Sequence, residues 1–233
     1  MRLILPGSHG DATKALLESP VMNLLEVLRK PHGTLESAAR DRRVWGAAAV
    51  VVSWAAANAV LTLVLFADSN FPAQAQLSSR ELAQIERVLG LLAPTSAFLI
   101  PFVWWISVSA LTLLTTRLFG GRPGFSTILA VVGVACAPWV AGYIVQLLLG
   151  TLQVFLTEEG PLPTALGFLA LLVSVGSLVW HVVLVVIGIR YAAGVDYRGA
   201  AASCALTGLG CATAGFVLLV SVLTLVFLLS GAL

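Results

Sequence analysis

From Thr164 to Ile189 the chain runs twenty-six residues without a formal charge, and no other feature limits its fold as strongly. A helix rising about 1.5 Å per residue crosses about 30 Å of hydrocarbon in about 20 apolar residues. Four further runs reach that length, so spans are expected near 44–67, 93–118, 125–150, 164–189 and 200–230. A soluble chain could not hide such runs, because hydrophobic residues make up 59% of the sequence. Long strands of alternating polarity, the mark of a membrane barrel, are absent. The expected fold class is therefore all-α: a polytopic membrane protein of five transmembrane helices preceded by an amphipathic amino-terminal helix.

Residues 1–43 read as a cytoplasmic segment and 44–233 as the five-span membrane domain. Ser19-Pro20 forms an N-cap and first-turn proline, and Val21, Leu24, Leu25 and Leu28 follow at helical spacing until Pro31 closes the pattern. This helix, 20–30, suits either the membrane surface or a place packed beneath the bundle. Ser78 to Glu81 offers a capping box for a short interfacial helix, which Pro94 separates from the second span. No signal-peptide apolar region with a small-residue cleavage site occurs in the first 43 residues, so the amino terminus is expected to be retained.

Charge sets the expected orientation. Of the thirteen Lys and Arg residues, seven lie in residues 1–43, Arg117 and Arg122 flank the Gly120-Gly121 turn, and Arg190 and Arg198 border the next loop on that side. The opposite side holds only Arg80 and Arg87, with Glu158 and Glu159 in its second loop. Basic loops stay in the cytoplasm. The amino terminus is thus expected inside and the carboxyl terminus outside. A net charge of +2 from dispersed basic residues gives no footprint for nucleic acid.

Inside the spans, small residues mark the packing faces. Gly167, Ala170, Ser174, Ser177, His181, Leu184 and Gly188 recur at spacings of three and four along span four. Such a seam lets backbones approach closely. Ser126, Ala130, Gly133, Ala137 and Ala141 form a second seam in span three, and Cys204, Gly208 and Ala212 a third in span five, whose first half is expected to be enclosed. Pro138 removes one helical N–H and frees the carbonyl of Val134, which must then be buried in protein or line a polar cavity. His181 is an ionisable side chain at membrane depth and a functional candidate for that reason. In its neutral form it needs one donor and one acceptor. Asn58 lies about 8 Å away in depth by helical rise, too far to be that partner.

Chemistry-bearing motifs are scarce. The sequence has no GxSxG elbow, no HExxH helix and no Walker loop. Cys136, Cys204 and Cys211 form no CxxC and read as small apolar residues, so neither a metal nor a cofactor is expected. No Asp or Glu falls within a span, which speaks against an ion pathway.

The segments LLEVLRKP, RLFGGRPGFSTILAVVGVACAP and VWHVVLVVIGIRYAAGVDYRGAAA, in that order, resemble the Yip1 domain family and its prokaryotic members especially. The matching positions are Gly120, Gly121, Phe125, Ser126, Gly133, Pro138, Trp180, Gly188 and Arg190. The resemblance implies five spans, a cytoplasmic amino terminus and no catalytic activity. Eukaryotic members bind prenylated Rab-type GTPases, but this chain lacks their Asp-Leu-Tyr-Gly-Pro motif and carries Gly133-Val134 in place of their Gly-Tyr. A Rab-type GTPase is therefore not expected as a partner. The Ala, Val, Leu and Gly bias suits a bacterium of high genomic GC content, and some bacterial relatives accompany export systems. The expected role is an interaction partner or accessory subunit of a complex in the inner membrane, among lipids, other membrane proteins or further copies of itself. The alternative is a component that transports a small molecule or an ion, with a pocket near Pro138 and His181; an intramembrane enzyme is the third. Candidate packing or partner residues are Gly120, Gly121, Gly133, Pro138, Ser174, Ser177, His181, Gly188 and Arg190.

Overall fold

The computed structural model describes residues 26–42, 44–68, 79–155 and 161–230. A helical turn over 26–29 is followed by α1 (Pro31–Asp41), α2 (Val44–Asp68), α3 (Ser79–Leu118), α4 (Phe125–Val134), α5 (Ala137–Phe155), α6 (Pro161–Ala193) and α7 (Tyr197–Ser230). Five segments are long and apolar enough to cross a membrane: Val44–Val64, Gly90–Leu118, Phe125–Gln153, Thr164–Ala193 and Tyr197–Ser221. The third joins α4 and α5. The chain is a multi-pass, all-α membrane protein, as its uncharged runs require.

The amino-terminal helix expected over 20–30 lies outside the described residues except for its last turn. Pro31 does more than close that pattern. It opens α1 at the first helical position, where its missing N–H costs nothing. Leu35 and Ala38 of α1 are buried, as is Val27 before it. Their partners are α4 and α6, so the described part of this segment packs beneath the bundle.

Pro94 was expected to separate two helices, yet α3 runs through both Pro94 and Pro101. Pro94 frees only the carbonyl of Gly90, an exposed residue at the start of the span, so a single bond is lost and the helix continues. Thr95 Oγ1 and Ser96 Oγ add bonds beside it, to the Leu91 carbonyl at 2.7 Å and the Ala93 carbonyl at 2.9 Å. Pro101 leaves the Ala97 carbonyl without its helical donor, and Asn58 Nδ2 from α2 supplies one at 2.7 Å.

Span three forms the centre. Seven residues of α4 are buried, among them Ile128, Val131, Val132 and Gly133. They pack against α2 and α6, with α5 continuing between the same neighbours and α3 lying along α2. Three described residues are left-handed: Arg42 (φ +50) caps α1, and two glycines shape the later turns. Gly120 (φ +80) turns the chain after α3, and Gly194 (φ +66) ends α6. Asp196 Oδ1 then accepts the Gly199 N–H at 2.8 Å and starts α7.

The last span is attached to α3 and α6. Its enclosed face is not Cys204, Gly208 and Ala212 as expected, because Gly208 and Ala212 are exposed. Ala200, Ser203 and Thr207 are buried instead. Hydroxyls decide the rotation: Thr115 Oγ1 on α3 lies 2.7 Å from Ser203 Oγ and 3.0 Å from Thr207 Oγ1. A polar face turned toward a polar partner outweighs a merely small one in hydrocarbon.

Candidate functional site

The interruption of span three falls at Ala135 and Cys136, so Pro138 occupies the first turn of α5 rather than a kink within one helix. The Trp139 N–H that would ordinarily reach the Ala135 carbonyl bonds Cys136 O at 2.9 Å. His181 takes its place, with Nδ1 2.7 Å from Ala135 O. The freed carbonyl met by a side chain is thus that of Ala135, one residue beyond the Val134 expected from the proline. A carbonyl can only accept, so Nδ1 carries the proton, and a neutral ring leaves Nε2 as an acceptor.

Aromatic rings enclose this junction. The His181 ring centroid is 5.2 Å from that of Trp104 and 6.1 Å from that of Trp139. Trp54 stacks on Trp139 at 6.0 Å and meets Trp104 edge-on at 5.5 Å. His181 is 4% exposed. That exposure borders a groove of about 460 Å³ between α3, α6 and α7, lined by Trp104, His181, Val185, Cys204, Thr207 and Gly208 among others.

The remaining sequence candidates fall into two groups. Gly133, Gly188 and Ser177 lie where helices nearly touch. A Cβ on Gly133 would stand 2.7 Å from Ala47 Cβ and 2.8 Å from Trp105 Nε1, and one on Gly188 would overlap Val131. Ser177 presses on Gly142. Ser174 receives the Gln146 amide at 3.0 Å and itself donates to Ala170 O. At the other end of α6, a Cβ on Gly121 would meet Ala193 at 2.9 Å, which brings the Gly120-Gly121 turn beside the loop after α6. Arg190 donates to the Tyr197 hydroxyl at 2.8 Å, with its guanidinium 4.2 Å from the Tyr197 ring centroid. His32 of α1 meets the Tyr191 hydroxyl at 3.3 Å on the same end. The structure therefore brings Pro138 and His181 near one another and gathers Gly120, Gly121 and Arg190 at the α1 end.

Sequence reasoning missed Trp105 and Gly142, and it weighed Asn58 only as a partner for His181, not for the Ala97 carbonyl. Trp105 Nε1 donates to the Leu129 carbonyl at 2.8 Å beside Gly133. The available signal was pairing by depth: each donor sits opposite a carbonyl near a proline or glycine on another span. Among the described residues, no cluster of three or more His, Cys, Asp or Glu is placed to hold a metal.

A family model described as the Yip1 domain matches residues 25–221. No curated protein and no solved structure matches the chain.

Proposed function

Because the chain belongs to the Yip1 domain family, we propose that it is a non-enzymatic interaction partner or accessory subunit of a membrane complex. An export system in the inner membrane of a bacterium suits this role, with the amino terminus in the cytoplasm and the carboxyl terminus outside. The observation that supports it is the last helix. Beyond Thr207, α7 exposes Phe216, Val217, Leu218, Leu219 and Val220 in succession, its whole circumference at 3.6 residues per turn, so this half of the helix is uncovered by its own bundle and open to the helices of another membrane protein. The absence of the Asp-Leu-Tyr-Gly-Pro motif argues that this partner is not a Rab-type GTPase. A photocrosslinker at Leu218 in the tagged full-length chain tests the reading, with purification in mild detergent and mass spectrometry. One near-stoichiometric membrane-protein adduct is expected. A chain that purifies alone and crosslinks only lipid overturns it.

A second reading, transport of a small molecule or an ion past Pro138 and His181, draws support from the groove beside the imidazole. The His181→Gln variant separates the two, since glutamine can hydrogen-bond but cannot exchange a proton near neutral pH.

A further inference from the structure

Span two ends at Leu118 and span three begins at Phe125, so the turn joining them lies at the level of the lipid head groups. A notch there is lined by Arg117, Gly120, Gly121, Arg122 and Pro123, with no acid among them. Both arginines are exposed, and neither has an ion pair among the described residues. The one acid of the loop after α6, Asp196, turns Oδ1 to the Gly199 N–H at 2.8 Å. Leu118, Phe119 and Phe125, chain neighbours of the notch, are exposed apolar side chains.

The helix that starts beside this notch lacks a side-chain cap. α4 opens at Gly124, which has nothing to accept from the first turn. The Thr127 and Ile128 N–H groups share Gly124 O, at 3.1 and 3.2 Å, which leaves those of Phe125 and Ser126 open. Two hydroxyls turn back toward the same corner. From the place where a Cβ on Gly124 would stand, Thr127 Oγ1 is 3.7 Å away and Ser126 Oγ 3.9 Å. Thr127 is only 6% exposed, yet neither hydroxyl has a hydrogen-bond partner among the described residues. A buried hydroxyl in that state calls for a partner.

Open N–H groups, hydroxyls and two guanidiniums are all donors. The matching occupant is negatively charged and carries several accepting oxygens, as a phosphate does. Its level in the bilayer and the apolar side chains beside it choose the source. We propose that the start of α4 binds the phosphodiester of one anionic phospholipid, of the phosphatidylglycerol class. Its oxygens cap the helix in place of the side chain that Gly124 lacks, and Arg117 and Arg122 hold its charge. The site is away from the outer half of α7 and independent of the docking reading.

Native mass spectrometry of the full chain in detergent, titrated with phosphatidylglycerol or with phosphatidylcholine of the same acyl chains, tests it. Phosphatidylglycerol should bind one site about 10-fold more tightly, the worth of one charge-assisted hydrogen bond. Gly124→Asp adds a Cβ that meets only the two hydroxyls at ordinary contact distance, caps the helix itself and places a carboxylate in the site. It should melt no lower than the native chain and lose the preference. Arg122→Gln should lose it as well, and serves if the first variant folds poorly. Arg29→Gln, an equal loss of charge at an exposed position, should keep it. Equal binding of the two lipids, or an undiminished preference in folded Gly124→Asp or Arg122→Gln, overturns the proposal. Equal losses from Arg29→Gln and Arg122→Gln overturn it in favour of diffuse surface charge. Displacement of the lipid by inorganic phosphate would assign the site to a free anion and overturn it too.

Discussion

His181 donates to a carbonyl left open where α4 passes into α5, and its ring is otherwise held by Trp104 and Trp139. Removing the donor strands Ala135 O in a dry place, so His181→Leu should lower unfolding stability by about 1–3 kcal/mol in reversible detergent-based unfolding. His181→Gln keeps an N–H and should lose distinctly less. It should also keep the activity the gene supports if the protein works as a docking partner; a folded, abundant but inactive Gln variant would favour transport instead. Glycine positions give a second contrast. Gly133→Ala drives a methyl toward Ala47 and Trp105 and should cost about 1–3 kcal/mol by overpacking. Gly176→Ala meets nothing within 4 Å and should gain about 0.5–1 kcal/mol in the middle of α6. Equal effects from these two glycines would show that the close approach of α2, α3 and α4 is absent.

At the scale of helices, prolines and side-chain donors work in pairs across spans. Asn58 is useful on α2 because Pro101 has no N–H for Ala97 on α3. A double-mutant cycle follows from that dependence. Asn58→Ala should be costly in the native background and nearly neutral once Pro101→Ala restores the intrahelical bond, a coupling of at least about 0.5 kcal/mol. Additive effects would mean that Asn58 acts by packing alone. This pairing also shows what the sequence could reveal. The five spans were legible because length and lack of charge are properties of one segment. The continuity of α3 through Pro94 was not, since the loss of one bond to the Gly90 carbonyl is outweighed by the packing of α3 on α2. The rotation of α7 was not either: Ser203 and Thr207 face Thr115, a fact about two spans at once. Nor was the interruption before Pro138, whose open carbonyl at Ala135 is met by His181, 46 residues later. Small residues named a stripe on α7 but could not say whether a helix or a groove lies over it.

Across the whole molecule, three basic segments meet at one end. α1 packs on α4 and α6, His32 reaches Tyr191, and the Gly120-Gly121 turn lies against Ala193. That end therefore carries Lys30, Arg40, Arg42, Arg117, Arg122, Arg190 and Arg198 together. In a bilayer these charges share one fate, because moving any segment to the other side would carry the rest with it. The proposed orientation, with this end in the cytoplasm by the positive-inside rule, therefore makes a labelling prediction. Ser37→Cys and Arg122→Cys, both exposed positions, should react with a membrane-impermeant maleimide only after the membrane is opened. Glu159→Cys should react in intact cells. The background should replace Cys136, Cys204 and Cys211 with alanine, since each lies within a span. Labelling of 37 and 122 in intact cells with 159 protected would invert the orientation and leave the fold standing. Labelling of 37 and 122 from opposite sides would be more damaging, because α1, α6 and the Gly-Gly turn could then not share an end, and the packing of α1 beneath the bundle would fail with it.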